Sequence, residues 1–83
     1  MDHGKSEVDR MQDELEQLRR LAVRAPADPD TRLAFARKLL ECRRTEEAIL
    51  EIRAVIAMVP NHLEARKLLE SVRGLQHSGR AGT

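Results

Sequence analysis

The side chains that could take part in chemistry are few in this chain of 83 residues, since one cysteine and three histidines stand apart from one another. Cys42 as a nucleophile needs a basic neighbour and groups that stabilise an oxyanion, and the sequence supplies only Arg43 beside it. His3 and His77 fall in expected terminal tails, and His62 lies near an expected helix start, where a solvated turn residue is the simplest interpretation. We therefore expect no catalytic residue, no cofactor and no metal site, and we predict that the chain is not an enzyme.

Charged residues are numerous, but their pattern does not favour nucleic acid as a partner. The 12 arginines include Arg19–Arg20 and Arg43–Arg44, yet the formal net charge is only +1. A recognition helix after Arg44 would carry Glu46–Glu47 and Glu51 in its first turns, and these carboxylates repel phosphate. Because Glu46 and Glu47 are adjacent, they point in different directions on a helix, unlike the paired carboxylates of acid–base catalysts. They are better explained as complements of the helix dipole.

The elements that position these residues are expected to be helices. Ala, Glu, Lys, Leu and Arg make up 45 of the 83 residues, whereas Val and Ile together number only eight, too few for a β-sheet core. Amphipathic segments are separated by Pro26 and Pro29, by Arg43–Arg44 and by Pro60. The sequence predicts an all-α domain of about four helices over residues 7–75, with disordered residues at 1–6 and 76–83.

Capping residues predict where the later helices begin. Asp28 followed by Pro29 is a favourable start for the second helix. Thr45 is expected to cap the third helix. Asn61, with Glu64 three residues later, fits a capping box at the start of the fourth.

Apolar run lengths and cysteine usage predict a cytoplasmic protein that has no membrane partner. The longest uninterrupted apolar stretch, residues 54–59, has six residues, far below the roughly 20 that a membrane helix needs. Residues 1–10 are too highly charged for a secretory signal. The single cysteine cannot form an internal disulfide.

A comparison of the chain with itself shows a partial repeat. Pro26 and Pro60 stand 34 residues apart. The same offset places Arg32 on Arg66 and Phe35 on Leu69, so the second and fourth helices look like two copies of one unit. The first helix aligns with the third in the same way, since Leu18 lies 34 residues before Ile52.

The complete unit reads Arg32-x-x-Phe35-Ala36-x-x-Leu39, then Ala48-x-x-x-Ile52, then Pro60. Its order and spacing resemble the tetratricopeptide repeat (TPR), which recurs roughly every 34 residues. The tryptophan and tyrosine positions of that family hold Arg32 and Leu39 here, and its loop glycine position holds Arg43. The resemblance implies antiparallel helical hairpins stacked as a short superhelix, with one full repeat between two half repeats.

The resemblance also implies a protein partner, because the family binds peptides or helices on the concave face formed by the first helix of each pair. The candidate groove residues are Leu33, Arg37, Leu40, Lys67, Leu68 and Ser71. An apolar groove edged by arginine and lysine suits an amphipathic helix with acidic flanks. The alternative interpretation is that the three leucines complete the core. Leu33 and Leu68 also replace polar groups with which some family members grip a terminal carboxylate, so we do not expect that activity.

Isolated repeats bury too little surface, and about three are usually needed for stability. We therefore expect a small adaptor or chaperone-type subunit, or alternatively a homo-oligomerisation module whose open helix faces pair with its own copies. The expected association face of the first helix is Val8, Met11, Leu15 and Leu18.

Overall fold

Four α-helices joined by short turns make up the chain in a computed structural model, which describes the backbone of residues 7–80 and the side chains of residues 7–74. The helices are α1 (Glu7–Arg24), α2 (Pro29–Glu41), α3 (Thr45–Met58) and α4 (Leu63–Arg80), and this part of the chain contains no strand. The prediction of an all-α fold of about four helices is confirmed. The backbone of α4 is helical to Arg80, beyond the domain end expected at residue 75. The tail expected at residues 1–6, and residues 81–83 of the tail expected at 76–83, lie outside the described residues.

The start of α2 agrees with its sequence signals. Pro29 occupies the first turn, and the Asp28 carboxylate accepts hydrogen bonds from the Asp30 N–H at 3.2 Å and the Thr31 hydroxyl at 2.7 Å. The Thr31 hydroxyl, helped by the backbone N–H groups, holds the pKa of the Asp28 carboxyl below its ordinary value. A carboxylate therefore caps this helix.

The other two predicted caps are corrected. The helical segment α3 begins at Thr45 itself, so Arg44 is the N-cap residue and its side chain makes no capping hydrogen bond. Because α4 begins at Leu63, the cap falls on His62, whose Nδ1 accepts from the Ala65 N–H at 3.2 Å. Asn61 lies one residue too early to serve as the cap.

Arg43 ends α2 in a conformation that usually requires glycine. Its φ is +64°, the left-handed region, where a Cβ is strained. The Arg44 N–H donates to the Leu39 carbonyl at 2.8 Å, and the Arg43 N–H donates to the Leu40 carbonyl at 3.0 Å. These two bonds form a Schellman motif with Arg43 at its left-handed position.

Two hydrophobic clusters hold the helices together, and each gathers three consecutive helices. One cluster contains Leu15 and Ala22 of α1, Phe35 and Leu39 of α2, and Ala48 of α3. The other contains Leu33 and Ala36 of α2, Ile52 and Val55 of α3, and Ala65 and Val72 of α4. Helices that are consecutive in the chain make the main contacts, and α2 and α3 take part in both clusters.

Ion pairs join helices that are two apart in the chain. Arg19 of α1 binds Glu47 of α3 at 2.9 Å, and Arg37 of α2 binds Glu64 of α4 at 3.1 Å. The helices therefore zigzag, with α1 and α3 in one layer and α2 and α4 in the other. The Cα trace measures 46 × 39 × 15 Å. Two layers of helices with axes about 9 Å apart account for the 15 Å thickness.

The turn before α4 repeats the turn before α2, and each of its three backbone hydrogen bonds has an equivalent there. The three backbone bonds in the first turn are Ala25 N–H to Leu21 O (2.9 Å), Asp28 N–H to Ala25 O (3.0 Å) and Arg32 N–H to Asp28 O (3.2 Å). Their counterparts 34 residues later are Val59 N–H to Val55 O (2.8 Å), His62 N–H to Val59 O (2.9 Å) and Arg66 N–H to His62 O (3.1 Å). The arginine side chains repeat the same relation, since Arg32 donates to the Pro26 carbonyl at 3.1 Å and Arg66 to the Pro60 carbonyl at 2.6 Å. The 34-residue offset is thus a structural repeat as well as a sequence one.

Replacing Arg43 by glycine should stabilise the domain by about 1 kcal/mol, because glycine adopts positive φ without a Cβ clash. Urea unfolding followed by circular dichroism measures the change. Arg43→Ala is the matched control, since it removes the charge but keeps the Cβ, and it should not stabilise the domain. Equal stabilities for the two variants would contradict the role given to the backbone conformation.

The stability of the domain should depend on the ionisation of Asp28. Since the folded pKa is lowered, the carboxylate contributes stability above the unfolded pKa of about 3.9 and loses it as the pH falls through the folded value. Between pH 6 and pH 2, the melting temperature of the wild type should therefore fall further than that of Asp28→Asn. Thr31→Val should weaken this dependence, because it removes the hydroxyl that lowers the pKa. Parallel melting profiles for all three proteins would contradict the assignment.

Candidate functional site

The groove residues expected from the sequence lie on neighbouring helices of one layer, but they do not form a continuous apolar surface. We call the solvent-exposed side of α2 and α4 the even-helix face. Arg37, Lys67 and Ser71 are exposed on it, whereas Leu40 and Leu68 are half-buried. The face is therefore polar, with the edges of two leucines reaching the surface.

Leu33 does not belong to this face, and its assignment as a groove residue is corrected. Only 3% of the residue is exposed, and it packs in the cluster that includes Ala65 and Val72 of α4. The physical reason is that α4 lies beside α2 and covers Leu33. Leu33 belongs to the core, which is what the alternative interpretation of the three leucines predicted.

Leu40 and Leu68 take intermediate positions. Leu40 packs against both hydrophobic clusters, and Leu68 packs against the cluster that contains Leu33. Further along α4, a Cβ added at Gly74 would meet nothing within 4 Å, so the helix backbone is open there. The even-helix face thus has an open, small-residue side along Ser71 and Gly74.

Among the described residues, the charges on this face leave Lys67 without an ion-pair partner. Arg37 is held by Glu64 across the two helices, and both side chains are at least half exposed, so the pair contributes less than about 1 kcal/mol. Lys67 forms no ion pair with any of the described residues. The face can therefore attract a carboxylate at Lys67 without breaking an internal bond.

The expected association face of α1 is also corrected. Leu15 is 0% exposed, and the half-buried Leu18 packs against the cluster that contains Phe35 and Leu39 of α2. These residues hold α1 on α2, so they are not free to bind another chain. Leu15 and Leu18 are apolar because they lie on the inner side of α1, against α2.

The other two residues of the expected association face, Val8 and Met11, lie nearer the solvent, in the first two turns of α1. Val8 is 65% exposed and Met11 is half-buried. Together they line a shallow cavity of about 240 Å³, which is completed by Gln12, Glu41, Cys42 and Arg43. Only this end of the expected face is accessible.

A polar attachment reinforces the packing of α1 on α2. Lys38 Nζ donates to Glu14 of α1 at 2.7 Å and to Glu41 at 2.9 Å, and only 18% of its side chain is exposed. The hydrogen bond to Glu14, followed by that to Glu41, raises the pKa of the Lys38 ammonium. Because a raised pKa stabilises the protonated form, this contribution persists until the pH rises above the ordinary lysine range.

The residues first considered for chemistry are not brought together. Cys42 is half-buried at the C-cap of α2, and His62 Nε2 lies 3.8 Å from Asp30 at the start of α4. Glu47 is engaged by Arg19 and, at 3.8 Å, by Arg44. Within the described part of the chain, no three Cys, His, Asp or Glu side chains converge as metal ligands would.

Sequence reasoning missed a charged cluster where α1, α2 and α3 meet. Arg32 Nη1 donates to Glu51 at 2.9 Å, and the Arg19 guanidinium lies 5.0 Å from the centre of the Phe35 ring. A cavity of about 360 Å³ opens beside this cluster. The pairs that build it are 19 and 28 residues apart in the chain, so no local spacing rule could have identified them.

Replacing Leu33 by serine should unfold the domain or nearly so. Truncation of a buried leucine costs about 2–5 kcal/mol, a large share of the stability of a domain this small. Loss of helicity and of a cooperative thermal transition in circular dichroism measures the effect. Lys67→Ser, at the exposed position directly before Leu68, should stay within about 0.5 kcal/mol of the wild type. A melting temperature of Leu33→Ser equal to that of the wild type would contradict the assignment of Leu33 to the core.

No helix in the described residues combines the length and the apolar character required to cross a lipid bilayer. Comparison of the chain with models of protein families, with curated proteins and with solved structures gave no match.

Proposed function

We propose that the chain is a protein–protein interaction module, a small TPR-like adaptor or chaperone-type subunit that binds a partner peptide or helix non-covalently. The observation that carries the proposal is the turn before α2, which recurs with the same hydrogen bonds 34 residues later. A chance pair of helical hairpins has no reason to repeat both the backbone bonds and the arginine-to-proline bond. Stacked repeats of this kind expose one long face, and that face is the usual place for a partner.

The packing supports the TPR-like interpretation at the positions where the sequence departs from the family. Arg32 stands in place of the tryptophan, and it links α2 to α3 through Glu51 and to the preceding turn through the Pro26 carbonyl. Arg43 stands in place of the loop glycine, and it adopts the left-handed conformation that glycine would supply. Both arginines thus perform the structural task of the residue that they replace.

The even-helix face suits a segment with carboxylates beside an apolar edge. Lys67 provides positive charge, since Arg37 is already paired with Glu64, and the partly exposed Leu40 and Leu68 provide apolar contact. An amphipathic helix with acidic flanks meets both requirements. The proposal involves no cofactor, metal or catalytic step, and the cytoplasmic location is a prediction from the sequence.

A second candidate function is homo-oligomerisation. Large apolar side chains are exposed on several helices, and those at least 49% exposed are Val8, Leu21, Val23, Leu50 and Leu63. They are scattered over both layers and both ends of the domain. Self-association through them would make the molecular mass depend on protein concentration, which sedimentation measures directly.

The adaptor proposal is tested by charge reversal on the even-helix face. Lys67→Glu should reduce retention of a captured partner by about tenfold, equivalent to about 1.4 kcal/mol, because it places a carboxylate against the acidic flank. Quantitative affinity capture from the native lysate, with each variant as bait, measures the retention. Ser71→Trp should reduce retention of the same protein by filling the open side of α4.

Arg53→Glu is the matched control, because it reverses an exposed charge on α3, in the other layer. It should retain the partner at the wild-type level. Equal losses for Lys67→Glu and Arg53→Glu would reject the even-helix face as the binding surface. A concentration-dependent mass without a foreign partner would favour the homo-oligomer.

A further inference from the structure

The structural repeat identifies a second surface, on the side of α1 that faces away from α2. The 34-residue offset aligns Leu21 of α1 with Val55 of α3. Val55 is 0% exposed, because α2 lies on one side of it and α4 on the other. Leu21 is 49% exposed. Among the described residues, no helix precedes α1 in the way that α2 precedes α3.

A shallow surface depression marks the uncovered position. It has a volume of about 300 Å³ and is lined by Gln17, Arg20, Leu21 and Arg24, which we call the outer face of α1. Arg20 and Arg24 are one helical turn apart and point to the same side. Neither side chain has an ion-pair or hydrogen-bond partner in the part of the chain that the structure describes.

The charge of this face is opposite to that of its counterpart on α3. Glu51 of α3 accepts from Arg32 of α2 at 2.9 Å, and the residue at the same place on α1 is Gln17. The counterparts of Arg20 and Arg24 on α3 are the uncharged Ala54 and Met58. A helix seated on α1 as α2 sits on α3 would therefore meet the uncharged Gln17 where α2 meets Glu51, and two arginines about one and two turns further along α1.

We infer that the outer face of α1 is a second docking surface, which takes an amphipathic helix of another protein with a carboxylate at the place where α2 carries Arg32. The carboxylate would lie opposite Gln17 and accept a charge-assisted hydrogen bond from the long side chain of Arg20, one turn further along α1, while Arg24 adds positive charge beyond it. An apolar residue one turn away would cover Leu21. This inference rests on the proposed function and its repeat architecture. It goes beyond that proposal because it names a second surface, distinct from the even-helix face, and the chemistry of the partner that would bind there.

A second copy of this chain does not fit the outer face of α1. In a head-to-tail stack the copy would present α4, whose residue equivalent to Arg32 is Arg66, and this arginine would approach Arg20 and Arg24. The stack would also place Glu70 of the copy where Ala36 of α2 is 0% exposed. Burying a carboxylate at such a position is costly, so the occupant is a different, acidic helix with a small residue at that place.

Two synthetic peptides test the inference. The probe is residues 28–41 of this chain with Arg32→Glu, acetylated, amidated and labelled with fluorescein; its matched control keeps Arg32. Fluorescence anisotropy with the full chain should show at least tenfold tighter binding of the glutamate peptide, and the preference should shrink as salt is added. The variant Arg20→Gln/Arg24→Gln should reduce that affinity about tenfold, whereas Arg53→Gln should leave it unchanged.

Each other outcome overturns the inference. Equal affinity for the two peptides, absence of saturable binding at millimolar concentration, or an equal loss with Arg53→Gln would each do so. Self-association of the wild type that Arg20→Gln/Arg24→Gln abolishes would show that a second copy is the occupant instead. The proposed adaptor function is tested separately by Lys67→Glu. This substitution lies in the other layer and leaves the peptide site on α1 unchanged, so the two proposals can fail independently.

Discussion

The α2–α3 hairpin is the constraint on which the rest of the structure depends. Both hydrophobic clusters contain residues of α2 and α3, whereas α1 contributes to only one cluster and α4 only to the other. The hairpin can be packed from both sides because small residues, Ala36 and Ala48, are fully buried in it. Because the chain has only one aromatic ring, few bulky side chains are available to fill the core. The helices bury apolar surface by approaching each other closely instead. The outer helices are therefore held in place by the inner pair.

Charged side chains set the register of the helices more than they stabilise them. Lys38–Glu14 fixes α1 against α2, Arg19–Glu47 joins α1 to α3, and Arg37–Glu64 joins α2 to α4. Most of these groups are at least one-third exposed, so solvent screens them and each pair contributes little free energy. Their value is geometric, because a slipped helix would break all of its long-range pairs at once. Within the part of the chain that the structure describes, Lys67 on the even-helix face and Arg20 and Arg24 on the outer face of α1 have no ion-pair partner.

The prediction from sequence succeeded where a local rule applied. Asp28 and Pro29 identified the start of α2, because a cap acts only on the three residues that follow it. The caps at Thr45 and Asn61 were misplaced by one residue, since Thr45 is already helical and the ring of His62, which directly precedes α4, accepts from the Ala65 N–H. Arg43 was recognised at a glycine position, but only the structure shows that it takes the left-handed conformation itself.

By itself, the sequence determined the number of helices, their apolar sides and the 34-residue offset, because these depend on proline positions and on helical periodicity. It could not decide which apolar side chains remain exposed. Leu15 and Leu33 were expected at a surface and are core, whereas Leu21 is uncovered. Periodicity shows that a helix has an apolar side, but only the position of the neighbouring helices decides whether that side is covered. That choice belongs to the tertiary structure, and with it the location of every binding surface.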